Sequence, residues 1–249
     1  MALFKPSNPV LREATYEGVR ALGADEVMTL DGTVNKTGIL IIFTILTASW
    51  TWSLARSGDP TAAALPLIVG LIGGLIVALA TVFKPMWSPV TAPLYALLEG
   101  LVLGGISAFT EARYPGIAIE AVALTMGVLV CMLLIYRARL IQATEKFRIG
   151  VIAATGAIFL VYMVSILLGF FGIHMPKIYD AGPVGIVFSL VVTAVAALNL
   201  ILDFDLIERG AVQGAPKFME WYGGFAILVT LIWLYLEILR LLAKLRSRR

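Results

Sequence analysis

The chain has 249 residues, 60% of them hydrophobic and 14% charged, with a mean hydropathy of +0.94. Soluble domains carry about 25% charged and about 45–50% apolar residues, so this balance excludes a soluble globular protein and places the chain in a membrane. The formal net charge of +3 lies in loops and the tail, which argues for membrane orientation and against nucleic-acid binding.

Residues Met1 to Lys36 are polar and mixed in charge, and are read as a cytoplasmic segment. Within them Leu11, Tyr16, Val19 and Leu22 make a weak apolar face, compatible with a disordered tail or a membrane-lying helix. No short apolar core with a small-residue cleavage site precedes the first span, so no signal peptide is expected and that span directs insertion.

Seven apolar runs follow within residues 37–242, each near the roughly 20 residues that a crossing needs. They are Thr37–Leu54, Leu65–Phe83, Val90–Phe109, Ile117–Tyr136, Gly150–Phe171, Val184–Asp205 and Gly223–Leu242. Turn chemistry separates them, with Pro60, Pro85, Pro115-Gly116, Pro176 and Gly214-Ala215-Pro216 in the breaks. Lipid offers backbone groups no partner, so these runs are expected to be helices. Residues 243–249 form a basic tail. Cys131 is the single cysteine and lies inside the fourth run, which excludes an intrachain disulfide framework.

Eleven Lys and Arg lie in the N-terminal segment and on that same side in the second, fourth and sixth connections, against Arg56, Arg113 and Lys177 opposite. The positive-inside rule then puts the N-terminus in the cytoplasm. Five basic residues at the end (Arg240, Lys244, Arg246, Arg248 and Arg249) oppose that count. Either span seven crosses fully in spite of them or it re-enters; a full crossing is the preferred reading. Gly70, Gly73 and Gly74, with Gly100, Gly104 and Gly105, have the small-xxx-small spacing of close helix contacts and are read as packing.

The functional signal is the stretch LNLILDFDLIERG, Leu198–Gly210, in which an uncharged run meets Asp203, Asp205 and Glu208. A carboxylate at membrane depth costs several kcal/mol (about 3 or more), so such a residue is by default functional and faces the protein interior. At about 1.5 Å of rise per residue, Glu99 and Thr230 lie roughly 13 Å, and Asp203 roughly 10 Å, from the cytoplasmic edge. Asp203 and Asp205 are turned apart by about 200°. Asp203, with Asn199 on its face, is therefore expected to point inward. Asp205 and Glu208 are expected at a solvated helix end balanced by Arg209.

Two carboxylates sharing a low-dielectric site hold a proton or a cation between them. Asp203, Glu99, Asn199, Thr230 and Asp205 are thus a candidate ion pathway or pH sensor, with Asp203 and Glu99 as the candidate cation ligands. Calcium takes six to eight oxygen ligands, and these are suitable types. No EF-hand loop is present, so nothing in these residues selects calcium. Glu237 and Arg240 are three apart and can pair; they read as an outer gate or, more simply, as Arg240 snorkelling with Glu237 as partner. His174 stands alone, so no metal role is expected for it. Trp50, Trp52, Trp87, Trp221 and Tyr222 fall near span ends as interface aromatics do, and Trp233 lies deeper. No HExxH helix or Gly-x-Ser-x-Gly elbow is present, and no enzymatic activity is expected.

Four stretches carry a resemblance: PLYALLEGLVLGGIS at Pro93–Ser107, LIYRARLIQATEKFRIGVIAAT at Leu134–Thr155, LNLILDFDLIERG at Leu198–Gly210, and EWYGGFAILVTLIWLYLEILRLL at Glu220–Leu242. Their order and spacing, from about Asn35 to the end, make the chain resemble the Bax inhibitor (TMBIM) family, in particular its bacterial YccA-like branch. The resemblance implies an all-α integral membrane bundle of seven transmembrane helices, the last central and wrapped by the other six. It also implies a pH-sensitive calcium leak, with calcium as a permeant or bound ion and no other cofactor. In animals and plants the family is associated with suppression of cell death. The YccA-like branch is associated with modulation of a membrane-bound AAA protease, and implies the bacterial inner membrane.

In ion-conducting members of that family a carboxylate of span six pairs with one of span seven. Laying Leu202-Asp203-Phe204-Asp205-Leu206-Ile207 on the family's tyrosine-Asp-Thr-Gln-apolar-Ile pattern puts the first on Asp203. Aligning the Leu-Arg-Leu-Leu ending at Leu239–Leu242 puts the second on Thr230, which does not ionise. Glu99 is the hypothesised replacement acid. Two functions therefore compete: a passive cation leak, and a non-transporting regulator that binds another membrane complex.

Overall fold

The computed structural model describes residues 27–57, 61–172 and 180–248. The apolar face at Leu11–Leu22, His174 and the Pro60 and Pro176 breaks lie outside the described residues. Among the described residues seven long apolar helices carry the fold: α1 Leu30–Ala55, α2 Ala64–Phe83, α3 Ser88–Arg113, α4 Ile117–Arg137, α5 Glu145–Phe170, α6 Pro183–Val212 and α7 Met219–Arg246. A 3-10 turn, Pro85–Trp87, leads into α3. The chain is an all-α seven-helix membrane bundle.

The helices run past their apolar runs at several ends. Thr29 caps α1 by accepting from the Gly32 amide at 3.0 Å, which starts the helix at Leu30 and brings polar Asp31, Asn35 and Lys36 into it. Thr144 caps α5 in the same way, accepting from the Phe147 amide at 3.3 Å. A side-chain acceptor here satisfies one of the four amides that a helix start leaves unpaired. At the other extreme, α7 continues beyond Leu242 to Arg246.

Up-and-down connectivity gives the bundle two ends. The near end holds the starts of α1, α3, α5 and α7; the far end holds the starts of α2, α4 and α6. Helix α7 packs directly on α1, α3, α4 and α6, while α2 packs on α3 and α5 on α6. The last helix is therefore central, with four helices as its immediate wall and two in an outer layer. Its most apolar window is 61% buried, against 11% for α5, which turns Ile152, Phe159 and Leu160 outward.

Three glycine contacts set the α1–α3–α2 layer. A Cβ on Gly104 would overlap the Ala48 carbonyl oxygen of α1, and one on Gly100 the Thr44 carbonyl. A Cβ on Gly70 of α2 would come within 2.5 Å of the Leu98 carbonyl oxygen of α3. Small residues let backbones approach this closely, and the Thr44 hydroxyl uses that approach to reach the Ala96 carbonyl of α3 at 3.2 Å.

Candidate functional site

Helix α6 enters the protein from the far end and carries Asp203 into the seam it makes with α7. There the Thr230 hydroxyl donates to Asp203 Oδ2 at 2.6 Å. Thr230 itself is buried. Two of the three residues placed at similar depth from their sequence positions thus meet, across the interface of the central helix. Asn199, one turn earlier on α6, is directed elsewhere: its Nδ2 donates to the Thr155 hydroxyl of α5 and to the Val195 carbonyl, both at 2.9 Å.

Glu99 is not brought to Asp203. Its carboxylate lies beside Tyr95, one turn back on α3, and faces Gly74 of α2 so closely that a Cβ there would stand 2.9 Å from Oε1. Helix α3 presents its other faces to α1 and α7 and makes no substantial contact with α6. The expected acid pair of Asp203 and Glu99 is therefore replaced by an acid–hydroxyl pair of Asp203 and Thr230. Among the described residues no group of three or more His, Cys, Asp or Glu is clustered as metal ligands would be.

Asp205 points away from Asp203, as two helical steps require. It accepts from Arg148 of α5 at 2.9 Å and from Arg209 of its own helix at 3.0 Å. Glu208 accepts from the Tyr136 hydroxyl of α4. These contacts tie α4, α5 and α6 together at the near end. Arg209 follows from an i,i+4 spacing; Arg148 and Tyr136, on other helices, were not recognised in the sequence.

Glu237 and Arg240 do pair, at 2.9 Å. Tyr162 of α5 joins them, donating to Glu237 Oε1 at 2.8 Å and accepting from Arg240 Nη1 at 2.6 Å. The Arg240 guanidinium also lies 5.2 Å from the Tyr162 ring centre, within cation–π range. Arg240 keeps part of its side chain exposed at 38%, whereas Glu237 is buried. Lys244, counted with the basic tail in the sequence, is turned inward and donates to the Gly185 carbonyl at 2.9 Å and the Ser189 hydroxyl at 2.8 Å.

One cluster had no sequence signal beyond an acid at a helix start. Glu220, fully buried at the beginning of α7, accepts from the Thr29 amide at 2.9 Å and the Thr29 hydroxyl at 2.8 Å. It is paired with Lys36 of α1 and, at 3.1 Å, with Lys217. The residue that caps α1 is thereby fixed to the first turn of the central helix.

Two cavities flank α7. One of about 520 Å³ lies toward the far end, between α1 and α4, and reaches Ser107, Glu111 and Tyr235. The other, about 790 Å³, opens at the near end and reaches Phe204, Asp205 and Glu208. Neither of these two is lined by Asp203 or Thr230.

A family model described as Bax inhibitor 1 like matches residues 8–247, nearly the whole chain. Comparison with curated proteins finds no match.

Proposed function

The chain belongs to the Bax inhibitor 1 like family, and from that premise we propose that it is a passive, non-enzymatic cation leak governed by Asp203. The observation that carries this reading is the 2.6 Å hydrogen bond from Thr230 to Asp203 across the α6–α7 seam. Carboxylates within a spanning helix characteristically belong to ion or proton pathways. An ionised carboxylate only accepts hydrogen bonds, whereas a protonated one also donates. Proton uptake by Asp203 thus rewires its bond to Thr230, and the resulting change in the α6–α7 contact is the means by which pH controls flux. Calcium is the favoured ion on the strength of the family, and the location is the bacterial inner membrane with the N-terminus cytoplasmic.

Flux of calcium, sodium and potassium into proteoliposomes at two pH values tests the proposal. Asp203→Asn is expected to abolish the pH response. Thr230→Asp, which supplies a second acid at the seam, is expected to strengthen it, and Glu99→Gln is expected to leave it in place. Flux and pH response that are the same in wild type, Asp203→Asn and Thr230→Asp would remove the reading.

The non-ionisable Thr230, together with the separation of Glu99 from Asp203, favours a second reading: a non-transporting regulator that binds another membrane complex such as an AAA protease. Co-purification of such a complex after mild crosslinking, combined with no cation flux above protein-free liposomes, selects it.

A further inference from the structure

The strongest unassigned feature is the gap between α1 and α4. Both helices pack on α7, yet they make no substantial contact with each other. The two cavities lie along that gap. Ile41 of α1 lines both, and α7 floors them with Ile227 at the near end and Leu228 and Leu231 further on. They meet at Ile41 and follow one another along the central helix, between two membrane-spanning helices that do not pack on each other.

The lining changes character along its length. Deep in the cleft it is apolar, with Ile41, Leu129, Leu133 and Ile227. At the near-end mouth it carries Arg137 and Arg139. The acids beside them are engaged: Asp205 with Arg148 and Arg209, and Glu208 with the Tyr136 hydroxyl. Neither the Arg137 nor the Arg139 guanidinium has a hydrogen-bonded or ion-pair partner among the described residues, so the mouth offers two uncommitted cationic side chains.

The backbone at Arg139 points the same way. Helix α4 ends in a turn where the Leu140 amide donates to the Ile135 carbonyl at 3.1 Å and the Arg139 amide to Tyr136 at 3.0 Å. That turn requires a left-handed residue, ordinarily glycine. Arg139 fills it at φ 53°, the one non-glycine residue at positive φ among those described. A long cation thus stands where glycine is the unstrained choice.

We propose that this cleft binds an anionic glycerophospholipid from the leaflet at the near end, its phosphate held by Arg137 and Arg139 and one acyl chain lying along α7. Guanidinium groups grip phosphate oxygens through paired N–H donors. Basic pockets between spanning helices are the recurrent setting for anionic headgroups. The cavity of about 790 Å³ is within the range of about 300–1,000 Å³ typical of ligand sites. Lipid is the occupant because the cleft opens sideways between spanning helices and combines an apolar floor with a cationic rim. The site is separate from Asp203 and does not depend on the leak reading.

The test measures lipid retained by the full-length protein after reconstitution with equal amounts of phosphatidylglycerol and phosphatidylcholine of identical chains. Wild type is expected to retain at least five-fold more phosphatidylglycerol. The double variant Arg137→Gln/Arg139→Gln is expected to lose that preference. Ile41→Trp, which fills the cleft from its middle, is expected to reduce retention of both lipids. Thermal unfolding of each variant in detergent shows that it remains folded. A benzophenone amino acid at Val34, which lines the near-end cavity and is exposed, is expected to form lipid adducts on illumination. Equal retention of the two lipids by wild type would overturn the proposal. So would a preference undiminished in the folded double variant, or adducts only to the chain's first 26 residues or to a second copy. Displacement of the retained lipid by glycerol 3-phosphate alone would also overturn it, because the chain would then contribute nothing.

Discussion

Charged side chains in this protein differ sharply in what they hold, and burial decides which matter. Glu220 is buried and has four partners, two from Thr29 and one each from Lys36 and Lys217. Removing it leaves Thr29 donors and two ammonium groups without their acceptor, and hydrogen bonds to a charged group are worth about 1.5–3 kcal/mol. Glu220→Ala is therefore expected to lower stability by about 2 kcal/mol. Thr29→Val removes the cap of α1 as well as one of those bonds and is expected to cost about 1 kcal/mol. Because the two share one contact, the double variant should lose less than their sum; a cycle of unfolding midpoints in detergent measures this, and strict additivity would refute the coupling. Glu120, by contrast, is half exposed beside Arg246. Exposed pairs contribute about 0–1 kcal/mol, so Glu120→Gln should shift the same midpoint very little.

At the scale of helices, glycine position separates packing from tolerance. Gly104 touches the α1 backbone, whereas Gly156 of α5 has nothing within 4 Å of an added Cβ. Gly104→Ala must push α1 away from α3 and is expected to destabilise by about 1–3 kcal/mol. Gly156→Ala relieves the backbone freedom of glycine within a helix and is expected to be neutral or stabilising by up to about 1 kcal/mol. Comparison of the two midpoints under one condition checks both, and an equal loss would contradict the packing assignment. The Gly-rich faces of α2 and α3 were legible because spacing alone reports a close contact. The helix ends were less so, since apolar runs mark what lies in lipid while caps such as Thr29 and Thr144 decide where a helix begins. The Asp203–Thr230 contact was legible from depth, but the same argument wrongly extended to Glu99. Depth fixes height along a helix and leaves rotation open; the rotation of α3 gives Glu99 to Gly74 and its other faces to α1 and α7. Arg148, Tyr136 and Tyr162 were missed because a partner on another helix leaves no trace in local spacing.

For the molecule as a whole, the charge count and the tail pull in opposite directions, and the path of α7 favours a full crossing. Its 28 residues form one unbroken helix, about 42 Å long at 1.5 Å per residue, more than the roughly 30 Å of a hydrocarbon core. The far end of that helix is fixed to the protein. Arg246 donates to the Pro115 carbonyl and to Glu120, both at 2.6 Å, and Lys244 to the start of α6. Part of the tail's charge therefore serves contacts at the far end, where Arg113 also lies. At the near end the Met28 amide donates to the Ala215 carbonyl at 2.7 Å, closing the start of α1 onto the α6–α7 turn. These two anchorages put Gln213 at the near end of the bundle and both Ser57 and Ser247 at the far end, so a bundle that spans the bilayer is expected to expose them on opposite sides. Single cysteines at these positions in a Cys131→Ser background, probed with a membrane-impermeant maleimide, test the arrangement. Ser57→Cys and Ser247→Cys should label from outside intact cells, and Gln213→Cys only after permeabilisation. Labelling of Ser247→Cys together with Gln213→Cys would mean that the last helix turns back, and would dismantle the far-end anchorage. Labelling of Gln213→Cys alone from outside would instead reverse the whole bundle and show that the basic tail outweighs the eleven cations opposite it.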